Sequence, residues 1–210
     1  MFELLLSAFI VMLASLVGVV GVWQRFGRFF ERHLDFLISF SAGVFVIIAY
    51  RLSIETLDHA SSVGVGLGWI FAGALGIWLL FKFLPTLHHH EHSHEEPHAI
   101  DPRRVLFSDA FHNIGDGILL AAAFAVGPAV GVTTTMAVFI HELVQETSEF
   151  FVLRGAGYSA KKALWTSFAV SSTILIGALG GYFALKTAQM LEAPLLGLAA
   201  GMLLVVLLGD

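Results

Sequence analysis

The chain has 210 residues, 57% of them hydrophobic and 13% charged, with a formal net charge of −5 and a mean hydropathy of +0.84. A soluble domain carries about 25% charged residues, so the expected class is an all-α, polytopic membrane helix bundle, a single transmembrane domain over 1–210. The acidic balance and the lack of a basic stripe exclude nucleic acid as a partner. The absence of cysteine excludes a disulfide framework and a thiolate metal site.

About 20 apolar residues cross the hydrocarbon core, and seven such spans are predicted, near 2–23, 36–57, 65–86, 104–126, 131–153, 163–185 and 193–210. The first begins at Phe2, with an acid at Glu3, no basic n-region and no small-residue cleavage site. It therefore reads as a membrane helix rather than a cleaved signal peptide. Arg25, Arg28 and Arg32 follow it; Lys82, Arg103 and Arg104 flank the loop after span three; Arg154, Lys161 and Lys162 follow span five. Only Arg51 and Lys186 fall on the other side. The positive-inside rule makes the basic side cytoplasmic and puts the N-terminus outside. Glu55, Asp58 and His59 then sit at the outer end of span two as a candidate cation entrance, with Arg51 and Glu55 spaced to pair at i,i+4.

The one long connection, 87–103, carries His88, His89, His90, His92, His94 and His98 among Glu91, Glu95 and Glu96. Such a composition cannot form a core and reads as disordered. On the cytosolic side it is expected to act as a metal acceptor or sensor.

Spans four and five hold the unusual chemistry. Asp109, Asp116, Glu142, Glu146 and Glu149 lie between Val105 and Leu153, an interval with no Lys or Arg. A charge at the centre of a bilayer costs about 2.5–3.5 kcal/mol on insertion scales. Intramembrane acids without a basic partner are therefore functional candidates. Spacing groups them: His112 with Asp116, His141 with Gln145 and Glu142 with Glu146 are i,i+4 pairs, and Asn113 with Asp116 is i,i+3. Counted from Arg104 and Arg154, His112 and Asp116 lie about 12 and 18 Å deep, and Gln145 and His141 about 13 and 20 Å. The two helices should meet as an antiparallel pair across VGPAVG, bringing the polar stripes together, with Asp109 and Glu149 nearer the cytosol as a candidate exit. Imidazoles with carboxylate and amide oxygens suit Zn²⁺, and also Fe²⁺, Mn²⁺, Co²⁺ or Cd²⁺. An intramembrane metalloprotease is disfavoured, because His141-Glu142-Leu143-Val144-Gln145 lacks the second histidine of HExxH.

These residues resemble the ZIP (ZRT/IRT-like) family of divalent metal transporters. His112-Asn113-Ile114-Gly115-Asp116-Gly117 has the form HNxxDG, and HELVQETSEF is similar to HExPHExGDF of the family's His-rich eukaryotic branch. The place of the His-rich loop, ALWTSF and AAGMLLVVLLGD add to the likeness. The resemblance implies import of divalent metal, zinc first, into the cytoplasm; alternating access is the expected mechanism, and no enzymatic activity is expected. It implies a binuclear site: one ion on His112, Asp116, His141 and Gln145, the other on Asn113, Asp116, Glu142 and Gln145. Ser167 takes the place of the polar helix-six residue. An exporter or a non-transporting metal sensor would share these ligands. The expected location is a plasma or inner membrane, with lipid as solvent and Gly-rich faces suited to a homodimer. Three departures stand out. Gln145 replaces a stronger ligand, which leaves one or two metals open. Val144 replaces a proline, so less helix bending is expected. Seven spans are counted where the family has eight, so a fragment or a chain without the last helix is expected.

Overall fold

A single residue, Gly127, separates the two helices that carry the polar stripes. In the computed structural model, residues 1–16, 27–83, 102–187 and 189–209 are described. They form eight α-helices and a short 3-10 turn, with no strand among the described residues. In chain order these are α1 (Phe2–Met12), α2 (Gly27–His59), α3 (Val63–Phe83), α4 (Pro102–Val126), α5 (Pro128–Gly155), α6 (Ala160–Ser171), α7 (Ile174–Thr187), the turn Gln189–Leu191, and α8 (Glu192–Gly209). The His-rich segment and the end of the first predicted span lie outside the described residues.

The helix ends follow local chemistry. Gly127 is the N-cap of α5 and Pro128 fills the first turn, where its missing N–H costs nothing. The α5 C-terminus closes with the Tyr158 amide donating to Leu153 O and the Gly157 amide to Arg154 O. That closure needs a left-handed residue, and Gly157 supplies it with φ +87°. Ser159 then caps α6 by accepting from the Lys162 amide at 3.2 Å.

Three boundaries differ from expectation. The second span is longer than 36–57, because helix α2 extends back to Gly27 beyond its apolar portion. The fifth begins at Pro128, so the connection is shorter than VGPAVG. The sixth is not continuous: α6 ends at Ser171 and α7 starts at Ile174. Ser171-Ser172-Thr173 supplies the reason. The Ser172 hydroxyl donates to Ala169 O, while Thr173 Oγ1 donates across to Ala110 O of α4 at 3.0 Å. Hydroxyls that engage backbone carbonyls in this way loosen a helix locally. Helix α5, with valine at 144, runs unbroken.

Two helix pairs approach at backbone distance. A Cβ placed on Gly117 or Gly177 would strike the facing backbone of α7 or α4, and one placed on Gly73 or Gly201 would strike α8 or α3. Small residues permit this closeness. The main apolar core, including Leu4, Val11, Phe45, Leu52, Leu120, Val138, Ile174 and Leu203, ties α1, α2, α4, α5, α7 and α8 together. A smaller cluster of Phe150, Leu153 and Ala163 lies at the Arg154 end of α5. Between these two clusters α5 carries Glu142, Glu146 and Glu149, all buried.

The surface has the opposite character. Phe36, Ile47, Tyr50, Phe71, Phe107, Met136, Trp165 and Phe183 are exposed. Carboxylates inside and large apolar side chains outside suit a bundle whose solvent is lipid. Among the described residues, Ala160–Thr187 is the one stretch both long and apolar enough to cross a membrane by length and composition. Helices α4 and α5 have the length, with 25 and 28 residues, but their buried polar groups lower their hydropathy.

Candidate metal centre

The register of the α4–α5 hairpin assembles the site. His112 and Glu142 are equally far from Gly127 along the chain, and so are Asp109 and Gln145. In an antiparallel pair such residues stand opposite one another, and both contacts are present. His112 Nε2 lies 3.4 Å from Glu142 Oε1, and Gln145 Nε2 donates to Asp109 Oδ1 at 2.6 Å.

Two groups of donors result. In the first, His112, His141 and Glu142 each offer one atom within 4.8 Å of the others. Asp116, one turn along α4, brings Oδ2 to 3.8 Å from His112 Nε2. The imidazoles of His112 and His141 have centroids 5.6 Å apart, and His141 also meets the edge of Phe45 from α2. In this group Asp116 Oδ2, His112 Nε2 and both Glu142 oxygens are buried and make no hydrogen bond. Polar atoms withdrawn from water without a hydrogen bond are costly, and a shared cation would satisfy all of them.

The second group is Asp109, Glu146 and Glu149, again with one oxygen each within 4.8 Å. Helix α6 supports it. Ser167 Oγ donates to Glu149 Oε1 at 3.0 Å, and the Ser171 hydroxyl donates to Glu146 Oε1. Asn113 Nδ2 donates to Asp109 through both the carboxylate and the backbone oxygen, each at 3.0 Å. Gln145 stands between the groups: Nε2 is engaged by Asp109, while Oε1 is buried and makes no hydrogen bond.

The structure thus gathers His112, His141, Glu142 and Asp116 in one place, and Asp109, Glu146 and Glu149 in another. Asn113 and Gln145 turn their amide nitrogens toward the second group. Ser171 was not anticipated; its signal was a run of three hydroxyl residues in an apolar stretch. At the C-terminal end of α2, Glu55 is half-buried and Asp58 and His59 are exposed. His59 Nδ1 lies 3.8 Å from Glu55 Oε2, and His59 Nε2 lies 3.5 Å from Glu192 Oε1 at the start of α8. The expected Arg51–Glu55 pair is not among the ion pairs of the described residues. The helix end favours His59 instead, because its ring also meets Glu55 O at 2.9 Å. Glu192 is an addition that spacing could not reveal, since it comes from a distant helix.

Comparison with known proteins places the sequence. The profile described as ZIP zinc transporter matches residues 103–209. Human zinc transporter ZIP4 is 38% identical over 109 residues, 52% of this chain and 17% of that protein. Mouse zinc transporter ZIP10 is 36% identical over 106 residues, 50% of this chain and 13% of its own length. Drosophila melanogaster zinc transporter foi is 34% identical over 106 residues, 50% of this chain and 15% of that protein. The chain therefore spans less than a fifth of these relatives, and the family profile's match over 103–209 includes both donor groups. On the match over residues 103–209, the chain belongs to the ZIP zinc transporter family.

Proposed function

We propose that this protein imports divalent metal, zinc first, into the cytoplasm through the His112–His141–Glu142 group, with Asp116 and Gln145 Oε1 completing the coordination. The observation that carries the reading is the convergence of donors from two helices at one buried level. Tetrahedral zinc holds nitrogen and oxygen donors about 2.0–2.2 Å from the ion. Donors on such a sphere stand about 3.3 Å apart by that geometry. The His112–Glu142 distance of 3.4 Å already has this value, and the His112–Asp116 distance of 3.8 Å needs a small contraction.

Metal enters past Glu55, Asp58, His59 and Glu192, whose acids concentrate cations at the outer face. It exchanges water for imidazole and carboxylate, then leaves past the inner acids as the bundle opens to the cytosol. Ligands that release metal take up protons, so an opposing proton flow is a natural coupling. Fe²⁺, Mn²⁺, Co²⁺ and Cd²⁺ are secondary substrates that the same donors accept.

The test is uptake of radiolabelled zinc by proteoliposomes containing the full chain. Wild-type protein should accumulate zinc and His112→Ala should fall to the level of empty vesicles. Equal uptake by the two proteins overturns the site. Binding without uptake identifies a sensor, and loss of preloaded zinc alone identifies an exporter.

A further inference from the structure

The group on the cytosolic side has a different chemistry from the zinc group. Asp109, Glu146 and Glu149 are 5%, 1% and 1% exposed. Their donors are all oxygen, with no imidazole among the three. Each of the two glutamates uses one oxygen to accept from a serine of α6. Glu146 Oε2 and Glu149 Oε2 are buried in the cluster with no hydrogen-bond partner. Asp109 is held from two directions by the amides of Asn113 and Gln145. Fixed orientation of this kind is what outer partners give to ligating carboxylates.

Packing alone does not account for this arrangement. Three carboxylates in one buried cluster repel each other, and the serine and amide donors leave two oxygens unsatisfied. A cation resolves both problems. The donor set selects its class, since carboxylate and hydroxyl oxygens suit hard ions such as Mn²⁺, whereas imidazole favours zinc. Gln145 spans the gap, with its nitrogen committed to Asp109, so no carboxylate bridges the two groups through this residue.

We infer that Asp109, Glu146 and Glu149, with Ser167 and Ser171, form a second and separate site for a hard divalent cation, distinct in donor chemistry from the His112–His141–Glu142 group. It stands on its own ligands, so it does not depend on zinc being the transported ion. Two levels with different donors would let the inner site take Mn²⁺ while the outer one holds a softer metal.

The experiment uses the purified full chain in detergent micelles. Mn²⁺ binding is read from loss of the free-ion electron paramagnetic resonance signal, and Zn²⁺ binding by calorimetry. The variants are Glu146→Gln with Glu149→Gln, and separately His112→Ala. The paired glutamine variant should weaken Mn²⁺ at least tenfold more than it weakens Zn²⁺, and His112→Ala should do the reverse. Ser167→Ala with Ser171→Ala keeps the acids, and should weaken Mn²⁺ by a smaller factor. It provides the answer if the glutamine variant does not fold. The inference is overturned if Mn²⁺ does not bind, if His112→Ala removes Mn²⁺ as well, or if the serine and glutamine variants bind it like wild type. Failure of zinc uptake with this pattern intact would count against the transport reading alone.

Discussion

Replacing Gln145 with glutamate tests the junction between the two groups. In the protein as it stands, Gln145 Nε2 donates to Asp109 Oδ1 at 2.6 Å. Gln145→Glu turns that donor into an acceptor at the same place. The lost hydrogen bond to a charged group is worth about 1.5–3 kcal/mol. Two carboxylates about 4 Å apart add a repulsion of about 4 kcal/mol at an effective dielectric of 20. Together these approach the whole stability of an ordinary domain, about 5–15 kcal/mol. A divalent ion reverses the sign, because the added carboxylate becomes a ligand. The assay is thermal unfolding of detergent-solubilised protein, followed by tryptophan fluorescence, in chelator and in saturating zinc. The metal-free variant should melt well below the wild type, and zinc should raise its Tm by more than it raises the wild type's. A metal-free variant as stable as the wild type, or an equal zinc shift, would refute the reasoning.

Other substitutions reach different parts of the molecule. Gly177→Val places atoms on the Ile114 backbone and should cost about 1–3 kcal/mol or more by overpacking. Gly180→Val meets open space and should stay within about 0.5 kcal/mol of wild type; equal thermal shifts for the two would remove the close α4–α7 approach as a source of stability. Neutralising Glu55, Asp58, His59 and Glu192 together should raise the apparent KM for zinc several-fold at low ionic strength, and an unchanged KM in flux assays would dismiss the outer entrance. Deleting 88–98 should change metal retention while sparing the transport step, as read by initial uptake rates against efflux in vesicles; abolished initial uptake in correctly inserted protein would contradict that role.

The α4–α5 hairpin was legible because helical periodicity sorts i, i+3 and i+4 residues onto one face. Counting from the basic ends then matched the two stripes in depth. The register itself differs from that count, which set Gln145 level with His112: Gln145 stands against Asp109, and His112 stands against Glu142. The pairing of amides was not legible. Spacing cannot say whether Gln145 offers its oxygen or its nitrogen; the answer lies in a neighbour 36 residues away. Nor does hydropathy show the interruption at Ser172 and Thr173, where apolar neighbours mask local competition for backbone carbonyls. Ser167, which the resemblance singles out, donates to Glu149, whereas the reach of Ser171 to Glu146 is visible only in the packing of α6.

The position of Gly127 has a consequence for how such a site can change. Both donor groups are counted outward from that one residue, like marks on the two limbs of a folded ruler. Adding or removing a residue between Gly127 and the polar stripe on either helix turns that stripe by about 100°. Every pairing would be lost together, at both levels. Single side-chain exchanges such as those at Gln145 alter one rung and leave the scale intact. The hairpin therefore accepts substitution within these limbs far more readily than insertion.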